Sequence, residues 1–308
     1  MSAHESMIAE AVERMFAEAT PGPAFDPALW ATLVESGVPR LLRPESQGGA
    51  GEAWFDAAAV LQAAGAHAAA VPLADTLLAH TLLAQAGREL DDRVVRLSVA
   101  GPDGRPDPAD LLALPDGHRL VLDPWGESAR CVWHEAGGNA PQAFELANAA
   151  GVRARLALAS AAVLTGALRT AIAMGVEYAG LRKAFGRPIG QFQAVQHPLA
   201  VAAEDVAASR AALDWAAAGL EACGGEVAAA VARARAAEAA GRVAAIVHQV
   251  HGAIGFTAEH ALHRSTRLLW HWRDRWGDEH DWHALLGARA LAAGPEGLFD
   301  LLDGVEAR

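Results

Sequence analysis

The sequence predicts a mainly α protein in which a small β region separates an N-terminal helical domain from a C-terminal up-and-down four-helix bundle. Three observations carry that expectation. Hydrophobic residues make up 52% of the 308-residue chain, much of it alanine, the strongest helix former. Residues 151–290 hold long alanine-rich stretches with apolar positions at helical spacing, broken only by short glycine-containing segments. Residues 91–150 differ in texture, with short runs of β-formers between Gly, Pro and Asp. The expected division is therefore 1–90, 91–150 and 151–308.

Taking the elements in order, Ile8 to Phe16 is amphipathic, and the TPGPAFDP stretch after it is a breaker. Pro27 to Ser36 reads as a short helix, with proline in its first turn and Gly37 as its stop. RPESQGGAGEAW follows, and its Gly48, Gly49 and Gly51 mark a tight loop. Two apolar helices, Phe55 to Ala64 and Leu73 to Gln85, lie on either side of Pro72. Strands are expected at Arg93 to Val99, His118 to Leu122 and Ala129 to His134. Long helices are expected at Ala154 to Gly180, Pro198 to Ala222 and Gly225 to Val250, with a last helix from His263 to Trp276. Breakers stand at Gly186 to Gly190 and at Cys223-Gly224-Gly225. Helices of that length on short loops make an antiparallel bundle.

Charge excludes some functions. The formal net charge of −12, from 37 acidic and 25 basic residues, argues against a nucleic-acid binder and against attraction to anionic membranes. Cys131 and Cys223 lie far apart with no metal-ligand spacing, so reduced thiols in a cytoplasmic protein are expected. No apolar run is read as transmembrane, and the N-terminus lacks the basic start and apolar core of a signal peptide. His248, His251 and His280 form no spaced metal set. Ser-His-Asp, Walker and Gly-x-Gly-x-x-Gly patterns are absent from the sequence.

Two clusters carry chemistry. RKAFGRPIGQFQAVQHPLA (182–200) holds a fixed cation, Arg182, an aromatic, Phe185, a Gly-Arg-Pro turn and an amide, Gln193. HQVHGAIGFTAEHALHR (248–264) holds Gln249 with Gly252 and Gly255 close behind. A planar guanidinium, side-chain amides and glycines that bare their backbone N–H groups suit a pyrophosphate-bearing cofactor. In that order and spacing the clusters closely resemble the C-terminal helical domain of the acyl-CoA dehydrogenase flavoproteins. Trp30, Leu33, Gly37, Pro44-Glu45, Gly48-Gly49, Gly51, Gly65 and Pro72 are similar to the N-terminal helical domain of the same family.

The resemblance implies an acyl-CoA dehydrogenase-like fold and a shared cofactor. Arg182, Phe185, Gln193, Gln249 and Gly252 match residues that hold the ADP half of a neighbouring subunit's FAD; Lys183 matches a further basic position. The chain departs from the family at Ala184, Phe192 and Ala253. The family's β-barrel is shortened here, and a Thr-Glu-Pro type motif that helps hold the flavin ring is missing. The base is missing as well. Oxidation of an acyl thioester needs a carboxylate within reach of the α-proton. The usual Glu, twenty-one residues beyond the Gly of the Gly-Phe pair, is Trp276 here, and the alternative position on the preceding helix is Leu156.

Asp278 and Glu279, just past Trp276, are the remaining candidate bases; Glu238 reads better as a solvated helix residue. Trp270, Trp272, Trp276 and His271 either line a pocket or pack a subunit interface. One explanation joins these features. The chain resembles the short subunit of actinobacterial heterotetrameric acyl-CoA dehydrogenases. A longer partner subunit would then supply the base and most of the flavin pocket, the substrate would be a bulky or sterol-side-chain acyl-CoA, and an electron-transfer flavoprotein would be the acceptor. The alternatives are a self-sufficient homo-oligomer using Asp278 or Glu279, and a helical interaction subunit without flavin.

Overall fold

The structure, a computed structural model, describes residues 3–19, 22, 24–51, 53–88, 91–105, 107, 117–223 and 225–302. Thr20, Pro21 and Pro23 of the expected breaker, the Cys223 side chain and Gly224 lie outside the described residues. Helices α1 (Ala3–Glu18), α2 (Pro27–Ser36), α3 (Trp54–Ala66) and α4 (Leu73–Gln85) come first. Asp26 caps α2 by accepting the N–H groups of Ala28 and Leu29, and Gly37 ends it in the left-handed region.

A four-stranded sheet follows: β1 (Val95–Val99), β2 (His118–Asp123), β3 (Ala129–His134) and β4 (Gln142–Leu146), in that spatial order. β1 runs parallel to β2, and the other neighbours are antiparallel. Val95, Leu97 and Val99 alternate into the core, as a half-buried strand requires. The β1 strand is tied to α4: Asp75 accepts the Leu97 N–H at 3.0 Å, and Thr76 accepts that of Val95 at 3.2 Å.

The bundle is built from α5 (Ala149–Leu181), α6 (Gln193–Cys223), α7 (Glu226–His251), α8 (Leu262–Asp274) and α9 (Glu279–Leu302), with α8 and α9 sharing the fourth position. Helix α6 starts five residues before the expected Pro198, which sits inside it. The last expected helix, His263 to Trp276, is α8, which ends at Asp274; α9 was not anticipated. A tiny hairpin, β5 (Lys183–Ala184) and β6 (Arg187–Pro188), joins α5 to α6.

Helix α5 is long and apolar enough to cross a membrane by length and composition, contrary to the sequence expectation, with a best-window mean hydropathy of 1.6. Most of that window, 78%, is buried inside the protein, so its apolar character is that of a central bundle helix. It meets α3 at two glycines. A Cβ on Gly65 would lie 2.1 Å from the Val163 carbonyl oxygen, and one on Gly166 would lie 1.9 Å from that of Gln62. Only hydrogen fits at that crossing, and it joins the N-terminal helices to the bundle in one hydrophobic core.

Candidate functional site

At one end of the bundle the two sequence clusters converge. Tyr178, in the last turn of α5, stacks on His251, the last residue of α7, with ring centroids 4.5 Å apart. Arg182 caps α5 one turn later, and Gly252 follows His251 directly. Gly190 packs against Ala179 of α5, and Gln193 opens α6 three residues on. Arg182, Phe185, Gln193, Gln249 and Gly252 therefore share one end, all of them exposed. Among the described residues, the side chains of Arg182, Gln193 and Gln249 make no hydrogen bond or ion pair. Phe185 is 96% exposed and has a φ of +50° at the tip of the hairpin. The N-terminus of the 31-residue α6 lies at the same place, and its positive dipole end favours an anion.

Gly252 departs from expectation in one respect. Its N–H donates to the His248 carbonyl and closes α7, so it is not free for a ligand. What the glycine contributes is its left-handed φ of +62° and a surface with no neighbour within 4 Å of a would-be Cβ.

The connector between α8 and α9 is the opposite kind of place. Trp276 is fully buried, stands in the left-handed region with a φ of +57°, and packs edge-on against Trp272. Its backbone N–H donates to Asp107 at 2.9 Å. Arg275 donates to both oxygens of Asp75, at 2.6 and 3.0 Å, and to the Leu97 carbonyl. Arg233, fully buried on α7, donates to the carbonyls of Trp272, Arg273, Arg275 and Gly277 at 2.8–3.2 Å. Burial lowers the Arg233 pKa to about 10, against the pull of Asp274 and its acidic neighbours; the guanidinium stays charged at neutral pH and caps the negative end of α8. Burial raises the Asp107 carboxyl to about 6, although Arg275 and two backbone N–H groups pull it back.

Between these regions, a cavity of about 270 Å³ opens along α8. Leu61 and Ala64 of α3, Leu73 of α4, Val163 of α5 and Trp272 make its apolar walls. Burial and then Arg275 depress the His271 pKa to about 4, so this lining imidazole is neutral at pH 7.

Comparison with known proteins decides the family. IpdE2, an acyl-CoA dehydrogenase of Mycobacterium tuberculosis, is 32% identical over 264 residues, covering 78% of this chain and 79% of that protein. The chain belongs to the acyl-CoA dehydrogenase family. The family's C-terminal domain matches residues 144–269. Among solved structures, the ChsE4-ChsE5 complex from Mycobacterium tuberculosis gives a TM-score of 0.78 at 23% identity, covering 96% of this chain and 99% of that chain. The Tcur3481-Tcur3483 steroid ACAD gives 0.78 at 24% identity, covering 94% and 99%. At these identities the structural likeness speaks for the fold.

Acyl-CoA dehydrogenases generally use FAD. A free guanidinium, two free amides, a helix N-terminus and a bare glycine form one surface that a phosphate and a nucleoside can cover. The remaining candidates lie elsewhere. Asp278 is the N-cap of α9, exchanging hydrogen bonds with Asp281, and its carboxylate accepts from Arg105 at 2.7 Å. Partial burial alone would raise its pKa, but the Arg105 contact and the backbone donors hold it below the ordinary value. Glu279 lies on the α7–α9 face with Glu238 and His283, their ligating atoms within 4.8 Å. Neither lines the cavity. Leu156 is buried in α5. His271 and Trp272 do line the cavity, whereas Trp276 is core and Trp270 stacks on His248 at 5.7 Å.

Arg233 and Asp107 escaped the sequence reading. Arg233 had a signal: it falls on the same α7 face as Ala229, Ala236 and Ala240, all fully buried, and a buried arginine demands several acceptors. Asp107 had none, since a lone acid in a Pro/Asp segment reads as loop.

Proposed function

We propose that this chain is the short subunit of an FAD-dependent acyl-CoA dehydrogenase whose longer partner supplies the catalytic base and most of the flavin pocket. One observation carries the reading. Among the described residues the polar side chains of the bundle end are unpaired and exposed, while the position of the family's base holds a buried indole whose backbone N–H is bound by Asp107. Bound FAD would accept the hydride from the β-carbon of an acyl thioester. Arg182 would pair with the pyrophosphate, Phe185 would cover the ribose or adenine, and Gln193 and Gln249 would hold hydroxyl or phosphate oxygens. The short sheet leaves the flavin ring to be enclosed by the partner. Heteromeric assemblies among the structural relatives, one of them a steroid enzyme, support this arrangement and a bulky acyl group lodged between subunits. An electron-transfer flavoprotein would reoxidise the flavin.

Expression alone and with a longer homologue that keeps its Glu separates the readings. The chain alone should purify colourless, and the pair should purify yellow and reduce a dye with an acyl-CoA. In the pair, Arg182→Ala should lower FAD affinity tenfold to a hundredfold, about 1.5–3 kcal/mol for a charge-assisted contact. A yellow, active chain without partner would restore the homo-oligomer that relies on Asp278 or Glu279. Full flavin content in the Arg182→Ala pair would remove the cofactor role of the bundle end.

A further inference from the structure

The cavity along α8 has a polarity that the flavin reading does not use. We propose that it binds a compact organic carboxylate, its hydrocarbon body against Val163 and Trp272 and its charged group between Arg264 and Arg267.

Arg264, Arg267, His271 and Arg275 recur at three- and four-residue intervals, which places them on one face of α8 and its end; all four line the cavity. Arg275 is committed to Asp75. Arg264 and Arg267 are exposed at the mouth and have no hydrogen-bond or ion-pair partner among the described residues. That is notable in a chain with twelve more acids than bases, where a surface arginine readily finds a carboxylate. Asp75 is the acid among the described lining residues, and its oxygens are already taken by Arg275 and the Leu97 N–H. Among the described residues the mouth is therefore left with two uncompensated guanidiniums. His271 makes no hydrogen bond among the described residues and, being neutral, offers one N–H to the same anion.

Size narrows the ligand. Pockets for drug-sized molecules run to about 300–1,000 Å³, and 270 Å³ falls just below that range. One ring or a fused pair fits a space of that size. Guanidinium forks pair with carboxylate or with phosphate, so coenzyme A is the competing source of anion.

The site lies within one chain and is independent of the cofactor assignment, so it can be tested on the full chain without flavin. Isothermal titration with cyclohexanecarboxylate at millimolar concentration should give saturable heat. Cyclohexanecarboxamide, equal in shape but neutral, should bind at least tenfold more weakly. The Arg264→Ala/Arg267→Ala double variant, with a thermal midpoint like the parent's, should lose at least tenfold in carboxylate affinity. No saturable heat, equal binding of the amide, or an undiminished double variant would each overturn the proposal. So would displacement of cyclohexanecarboxylate by coenzyme A itself, which would hand the two arginines to phosphate.

Discussion

At the bundle end, the side chains of Arg182, Gln193 and Gln249 find no partner among the described residues, and Phe185 leaves nearly its whole ring in solvent. At the α8–α9 connector, Arg233, Arg275, Asp75, Asp107 and Asp281 all lie inside the protein and hold one another or the backbone. The two places are joined by α8 and built from similar residue types. What separates them is who satisfies the polar groups. A side chain that spends its hydrogen bonds inside the fold cannot also bind a ligand, and one that spends none contributes nothing to folding. The bundle end therefore leaves its polar groups to solvent or a ligand, whereas the connector uses its own to hold the fold.

The contrast breaks first at Arg275. Arg275→Ala leaves the Asp75 carboxylate buried without its guanidinium and should cost about 3–5 kcal/mol in a urea melt. A loss below about 1 kcal/mol would mean the connector is not held as described. Next in size is Trp276→Glu, which restores the residue type of the family's base. Its carboxylate would enter a fully buried site shaped for an indole, so the variant should lose about 3 kcal/mol or more and gain no acyl-CoA oxidation alone. Dye reduction by the isolated variant would show that only the acid was lacking.

A third effect comes from pH. Burial, with Arg43 and Arg275 beside them, depresses His80 and His271 to about 4. Between pH 4 and 6.5 the unfolded chain therefore holds two protons that the folded chain lacks, and stability falls as pH drops. Asp107, raised to about 6, does the reverse: between pH 4 and 6 the folded chain holds its proton and the unfolded chain does not. It offsets one histidine. Asp107→Asn keeps an acceptor for the Trp276 N–H and removes the offset, so stability should fall more steeply below pH 6, by about 1.4 kcal/mol per pH unit. Denaturant melts at several pH values measure the slope; an unchanged slope would mean Asp107 does not titrate in that window.

Much of this was legible in the sequence, for reasons of period and punctuation. Helix α2 and the strands at His118 and Ala129 start where expected because Pro, Gly and β-branched residues act locally. The bundle-end residues could be singled out because they stand in an ordered motif, and the fold brings them, exposed, to one end of the bundle. The connector was not. Gly277 at a φ of +90°, packed within 3.1 Å of Trp125 and Trp282 by a would-be Cβ, breaks α8 from α9, and that close approach is tertiary. Nor does spacing reveal that Asp278 is consumed as a helix cap by Asp281 and by Arg105, 173 residues away.

The smallest expected change in stability carries the sharpest test of the contrast. Phe185 and Gly186, with φ of +50° and +81°, form the two-residue turn between β5 and β6. Such a turn favours Asn-Gly, because left-handed backbone costs about 1–2 kcal/mol for a residue with an ordinary side chain. A phenylalanine there recovers little from the fold: its ring is 96% exposed and meets Phe192 edge-on at 6.1 Å. Phe185→Asn should therefore leave the chain as stable as before or raise it by about 0.5 kcal/mol. In the complex with a longer partner, the same variant should release FAD more readily, read as flavin lost on gel filtration. If instead the variant destabilises the isolated chain by more than about 1 kcal/mol and keeps its flavin, Phe185 belongs with the connector residues, and exposure would be a poor guide to which end of this bundle meets a ligand.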